Sequence, residues 1–84
     1  MARFPQHVRS THTADGAVIL DVGCGRIFSL NQTGSRILQL LESGCEEDAI
    51  IRHIVHEYGA AEDAAENDVR EFFGLLQRNQ LLLP

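Results

Sequence analysis

Two glycine-marked turns bracket one short apolar run, and they limit what the chain can build. Asp15-Gly16 precedes Ala17-Val18-Ile19-Leu20-Asp21-Val22, and Gly23-Cys24-Gly25 follows it. Asp-Gly is a strong hairpin signal, because both residues tolerate positive φ. The β-branched Val18, Ile19 and Val22 suit a strand. Gln6 to His12 is a weaker partner strand on one side. Arg26-Ile27-Phe28-Ser29-Leu30 is a third strand on the other. Its alternation puts Phe28 and Leu30 on one face, toward the core, and Ile27 and Ser29 on the other.

From Asn31 onward the apolar period changes to that of helices. Asn31 is a good N-cap, since its side chain can accept an orphan backbone N–H. Ile37, Leu38, Leu40 and Leu41 form the stripe of a first helix, and Gly44 closes it as a left-handed residue. Glu46, Glu47 and Asp48 place negative charge where a helix N-terminus favours it. Ala49, Ile50, Ile54, Val55 and Tyr58 then recur at helical spacing, and Gly59 ends the second helix. A third helix begins within the Ala- and Glu-rich residues 60–66. Val69, Phe73 and Leu76 fit one of its faces, and Asp68, Phe72 and Leu75 an adjoining one. That apolar arc is wider than a surface helix needs. Either one flank meets something besides the core, or the helix packs broadly under the sheet.

Strands first and helices afterwards argue for an α+β fold rather than a parallel α/β sheet. The expected architecture is a three-stranded antiparallel sheet followed by three helices, winged helix-turn-helix-like. The 84 residues suit a single domain spanning 1–84.

The charge balance excludes some functions. Twelve acidic residues against seven arginines and no lysine leave a net charge of −5. Nucleic-acid binders need clustered cations to displace counterions from phosphates. A winged-helix DNA-binding regulator is therefore a disfavoured alternative, and no nucleic-acid partner is expected. The N-terminus lacks an apolar signal core, and no apolar run nears the ~20 residues that span a bilayer. A cytoplasmic setting without membrane association is expected.

Catalytic chemistry is not evident. His53 and His56 stand three apart before Glu57, but this is not the H-E-x-x-H pattern, and no third metal ligand presents itself. Two partly exposed helix histidines is the plainer reading. Cys24 and Cys45 belong to no C-x-x-C pair and read as turn filler or small buried thiols. Gly23-x-Gly25 lacks the third glycine and the following helix of a dinucleotide loop. No serine follows an aspartate, as a phosphopantetheine carrier would need. The expectation is a binding protein rather than an enzyme, with no cofactor and no metal.

The ordered set of segments resembles the PqqD-like family. The resemblance rests on Val18-Ile19-Leu20-Asp21 and on Gly25-Arg26-Ile27-Phe28-Ser29-Leu30-Asn31. It continues through Ile37 and Leu40-Leu41, Gly44, Ile50 and Ile54. It ends with Asn67-Asp68-Val69-Arg70-Glu71-Phe72-Phe73 to Leu76, and Leu81-Leu82. It covers residues 6–83. Asn79-Gln80 stand where the family often carries glycine; Asn tolerates positive φ and would keep the turn. Gly34 and Gly74 each weaken a helix, at about 1 kcal/mol against alanine.

The resemblance implies a RiPP recognition element. Such a protein binds the leader of a ribosomally made precursor peptide and delivers it to modifying enzymes. The freestanding form, with Leu-Asp before the turn and Phe-x-Leu-Asn after it, is most similar to the recognition proteins of lasso peptide clusters. The implied partners are the precursor leader, a separate leader peptidase and a cyclase. A PqqD-type peptide chaperone for quinone cofactor or other RiPP synthesis is the alternative. The implied mechanism adds the leader as a strand beside the third strand, against the third helix. Arg26, Ile27, Phe28, Ser29 and Leu30 are the expected strand-side site, with Ile27 and Phe28 as its floor. Phe72, Leu75 and Leu76 are the expected helical wall, and Asp68 and Glu71 could attract a basic side chain, although a solvated helix charge is the plainer reading of Asp68. Truncating Phe72 is expected to weaken binding without disturbing the fold.

Overall fold

The computed structural model describes residues 4–82. Strands β1 (Val8–Thr13), β2 (Gly16–Asp21) and β3 (Arg26–Leu30) precede helices α1 (Gln32–Glu42), α2 (Glu47–Tyr58) and α3 (Glu62–Arg78). The sheet is antiparallel with order β1-β2-β3, so the apolar run between the glycine turns is the central strand. This is the expected order of strands and helices. The first strand starts and ends later than the Gln6–His12 estimate.

The first hairpin differs from the expectation in its chemistry. Thr13 pairs with Gly16, so the two-residue loop is Ala14-Asp15. Asp15 does not take a positive φ. Gly16 is required by close approach instead: a Cβ there would lie 1.9 Å from the Leu30 carbonyl oxygen. The second reversal is organised by Asp21. Its Oδ1 accepts from the N–H groups of Gly23 (3.1 Å) and Cys24 (3.2 Å), and its carbonyl accepts from Gly25 at 2.8 Å.

Helix α1 follows β3 without a linker because Asn31 caps it, accepting the Gly34 N–H at 2.8 Å. Ile37, Leu38, Leu40 and Leu41 are buried as expected. The helix closes in a Schellman motif: Gly44, at φ 92, donates to the Leu41 carbonyl, and Cys45 donates to that of Leu40. α2 buries Ile50 and Ile54, and also Ile51, which the spacing argument passed over. Tyr58, expected on the apolar face, is instead 49% exposed, at the last residue of α2. Arg36 grips both carboxylate oxygens of Glu57, at 2.8 and 2.9 Å, and ties α1 to α2.

The buried stripe of α3 is Ala65, Val69, Phe72 and Leu76. Phe72 therefore belongs to the core face, and Phe73 is only partly buried. The helix packs on α2 rather than under the sheet, whereas α1 packs on β2. After Arg78 the chain reverses through Gln80, which takes φ 58, while Asn79, the residue expected to do so, is at φ −99. Gln80 donates to the Gln77 carbonyl and Leu81 to that of Leu76, with Leu76 and Leu81 both fully buried. This second Schellman turn forces a side chain into a glycine conformation.

Two substitutions test these turns in opposite directions by urea denaturation. Gln80→Gly relieves the positive φ and should stabilise the protein by about 0.5–1 kcal/mol. Gly16→Ala forces a methyl group into the Leu30 carbonyl and should destabilise it by about 1–3 kcal/mol.

Candidate functional site

β3 is an edge strand. Which of its backbone groups are free follows from the ladder. In an antiparallel pair, residues that exchange hydrogen bonds alternate with residues that do not. Val22 donates to the His7 carbonyl at 2.9 Å, so Val18, Leu20 and Val22 turn their backbone groups toward β1. Ala17, Ile19 and Asp21 then turn toward β3, where their partners are Leu30, Phe28 and Arg26. The backbone N–H and C=O groups of Ile27 and Ser29 point outward along the open edge.

A cleft of about 390 Å³ lies beside the end of this edge. Ser29 and Leu30 form its strand side, and Asp68, Glu71, Phe72 and Leu75 of α3 form the opposite wall. The start of α1 supplies the end, through its Asn31 cap, Thr33, Gly34 and Ile37. Sequence reasoning did not assign these four residues to the site. The signal was the absence of any residue between β3 and the Asn31 cap, which sets the helix N-terminus directly against the strand. Gly34 lets the helix start lie this close to the strand, since a Cβ there would meet the Leu30 Cβ at 3.2 Å.

Asp68 and Glu71 are the charged residues lining the cleft, so its wall is acidic. The Glu71 carboxylate has one long contact, from the Asn67 amide at 3.5 Å. Among the described residues, Asp68 has no ion-pair partner.

The structure separates the other expected residues. Leu76 is fully buried and supports the wall from behind, so a surface ligand does not reach it. Phe72 is only 9% exposed; it shows an edge to the cleft while filling the core. Ile27 is 68% exposed on the sheet face away from the helices, so it is not the floor of this cleft. Phe28 packs against the core and beneath Arg26, whose guanidinium carbon sits 5.4 Å from the ring centroid.

Arg26 is committed within the fold. It donates to Asp21 Oδ2 (2.8 Å), to the Asn79 carbonyl (2.8 Å) and to Asn79 Oδ1 (3.1 Å). This clasp joins the start of β3 to the end of α3 and closes the interval between them at that end. The cleft opens at the other end, where no such link is made among the described residues. Asp21 is 1% exposed, and its carboxyl pKa is lowered, chiefly by the hydrogen bond from Arg26.

His53 and His56 lie on α2, with His53 Nδ1 3.3 Å from Glu57 Oε2. Among the described residues, no group of three His, Cys, Asp or Glu gathers to hold a metal ion. No described helix is long and apolar enough to cross a membrane.

Two predictions follow from the geometry of the walls and the clasp. Phe72→Ala should cost about 3–5 kcal/mol by thermal denaturation, as for any large core truncation, whereas the half-buried Leu75→Ala should cost less than half of that. Asp21, with its folded-state pKa depressed, contributes stability that is complete above the ordinary aspartate range and is lost as pH falls through the depressed value. Asp21→Asn should therefore lower the melting temperature at pH 7 and flatten the acid limb of the stability–pH curve, as read by calorimetry.

Residues 16–82 match the family described as coenzyme PQQ synthesis protein D (PqqD). Among solved structures, the fold is similar to TbiB1 in complex with the TbiA(beta) leader peptide. The TM-score is 0.87 and the identity 35%, over 95% of this chain and 93% of that one. It is also similar to a lasso peptide synthetase B1 complexed with the leader peptide, with a TM-score of 0.89 and 28% identity over 99% of this chain and 98% of that one. No curated protein matches by sequence. With four-fifths of its length inside the family match and the three-strand, three-helix fold in common with those complexes, the chain belongs to the PqqD family.

Proposed function

We propose that the protein binds the leader segment of a ribosomally synthesised precursor peptide and presents it to the enzymes of lasso peptide biosynthesis. The observation that carries this reading is the open edge of β3 standing beside an unfilled cleft. An edge strand exposes donors and acceptors that proteins usually cover or blunt. Here Ile27 and Ser29 offer both kinds of group next to a partly apolar wall, which is the arrangement used for strand addition. Two similar structures hold leader peptides, which supports the same ligand here.

The backbone bonds supply affinity without reading sequence, and the wall supplies selectivity. Leu75 and the exposed edge of Phe72 offer apolar contact, while Asp68 and Glu71 attract a basic leader side chain over a screened distance of about 8–10 Å. The role is that of an adaptor without catalysis, working in the cytoplasm with a leader peptidase and a cyclase. Holding the leader raises the local concentration of the attached core peptide at those enzymes. A DNA-binding role is opposed by the absence of lysine and by the acidic cleft.

Titration with a fluorescent leader peptide encoded beside this gene tests the reading, with saturable binding expected at about micromolar or tighter. Ile27→Pro removes an outward donor without taking a bond from the ladder to β2. It should weaken binding about tenfold or more while circular dichroism stays native. Absence of binding by the folded protein to its cognate leader would sink the proposal.

A further inference from the structure

The sheet face away from the helices carries an apolar stripe that the cleft does not use. Val18 and Leu20 are partly exposed there, Val22 is 53% exposed and Ile27 68% exposed. Leu20 and Ile27 are direct cross-strand partners. Val22 holds the same orientation as Leu20, since its N–H continues the pairing with β1. Ile27 is the most exposed of the large apolar side chains among the described residues, and it sits on an edge strand.

We propose that a peptide added at β3 is read on both faces of the sheet, with Ile27 as a specificity-determining residue on the face away from the helices. This rests on strand addition at β3, as proposed above, and extends it. Side chains of paired strands that lie directly opposite point to the same face, with Cβ atoms about 4.5–5.5 Å apart. Whatever the register, one residue of an added strand lies opposite Ile27 and is directed to the outer face. An apolar side chain there covers Ile27 and lengthens the stripe that begins at Leu20. The neighbouring ligand residue, opposite Phe28, turns the other way, toward α3. The next one, opposite Ser29, returns to the outer face beside a hydroxyl. The ligand class is thus a peptide with an apolar residue facing Ile27 between residues that turn toward the cleft side. A leader that satisfies only the cleft leaves Ile27 in water.

The test compares leader affinity for the wild type, Ile27→Thr, Ile27→Pro and Val22→Thr. Threonine keeps the strand propensity and the backbone donor while removing apolar surface. Ile27→Thr should weaken binding about three- to tenfold. Val22→Thr, on the same face but one strand in from the edge and so about 10 Å from an added strand, should leave affinity unchanged. A serine scan of the leader should find one position whose loss is large against the wild type and absent against Ile27→Thr, the signature of a direct pair. Wild-type affinity for Ile27→Thr, alongside weakened Ile27→Pro, would overturn two-sided reading and leave strand addition standing. Unchanged binding by both Ile27 variants would overturn strand addition at β3 itself. Equal losses from Val22→Thr and Ile27→Thr would assign the face to a broader partner and overturn the pairing with the leader.

Discussion

Arg26 decides how far apart the two walls of the cleft stand. One guanidinium reaches the buried Asp21 at the end of β2 and two acceptors on Asn79 at the end of α3. The rigid fork suits this task, because its donors are held in fixed directions. The arrangement leaves Arg26 Nε buried and without a partner among the described residues. Such an unpaired donor carries a desolvation cost, offset by the three bonds made by the other nitrogens. Asp21 is shared with the turn, where its second oxygen holds Gly23 and Cys24. The hairpin and the position of α3 therefore depend on the same carboxylate.

With α3 pinned at one end, packed along α2 and not seated on β3, the fold leaves an interval that its own side chains do not fill. A helix lying fully on the sheet would bury Leu75 and Phe72 together and cover the β3 edge. The stand-off instead keeps Leu75 half-buried and the edge accessible. A small domain has little apolar surface to spare, so an uncovered edge beside an uncovered wall is a costly feature to retain without a ligand. The strand addition proposed above would answer both exposures at once, and the outer-face position of Ile27 would extend the same logic to the other side of the sheet.

Much of the secondary structure was legible because its signals are local. The Asn31 cap, the Gly44 and Gly59 terminators and the alternation of Phe28 and Leu30 against Ile27 and Ser29 each depend on a few adjacent residues. Errors arose where a local signal had two physical readings. Gly16 is demanded by the nearby Leu30 carbonyl rather than by a left-handed turn. The left-handed residue after α3 is Gln80 because the helix runs one residue further, with Asn79 as its C-cap and Gln80 at the position after it.

The sequence by itself determined the order of elements, the strand faces, the acidic balance that disfavours nucleic acid, and the family resemblance. Period, capping and composition act over one or two turns of chain and need no knowledge of the fold. The tertiary structure decided that Phe72 and Leu76 face inward, that Ile27 lies outside the cleft, that the start of α1 completes it, and that Arg26 is a clasp rather than a contact. Each of these depends on contacts between residues far apart in sequence. Arg26 and Asn79 meet across the whole helical half of the chain. No periodicity in either segment encodes that meeting, because it arises only when α2 has carried α3 back to the sheet.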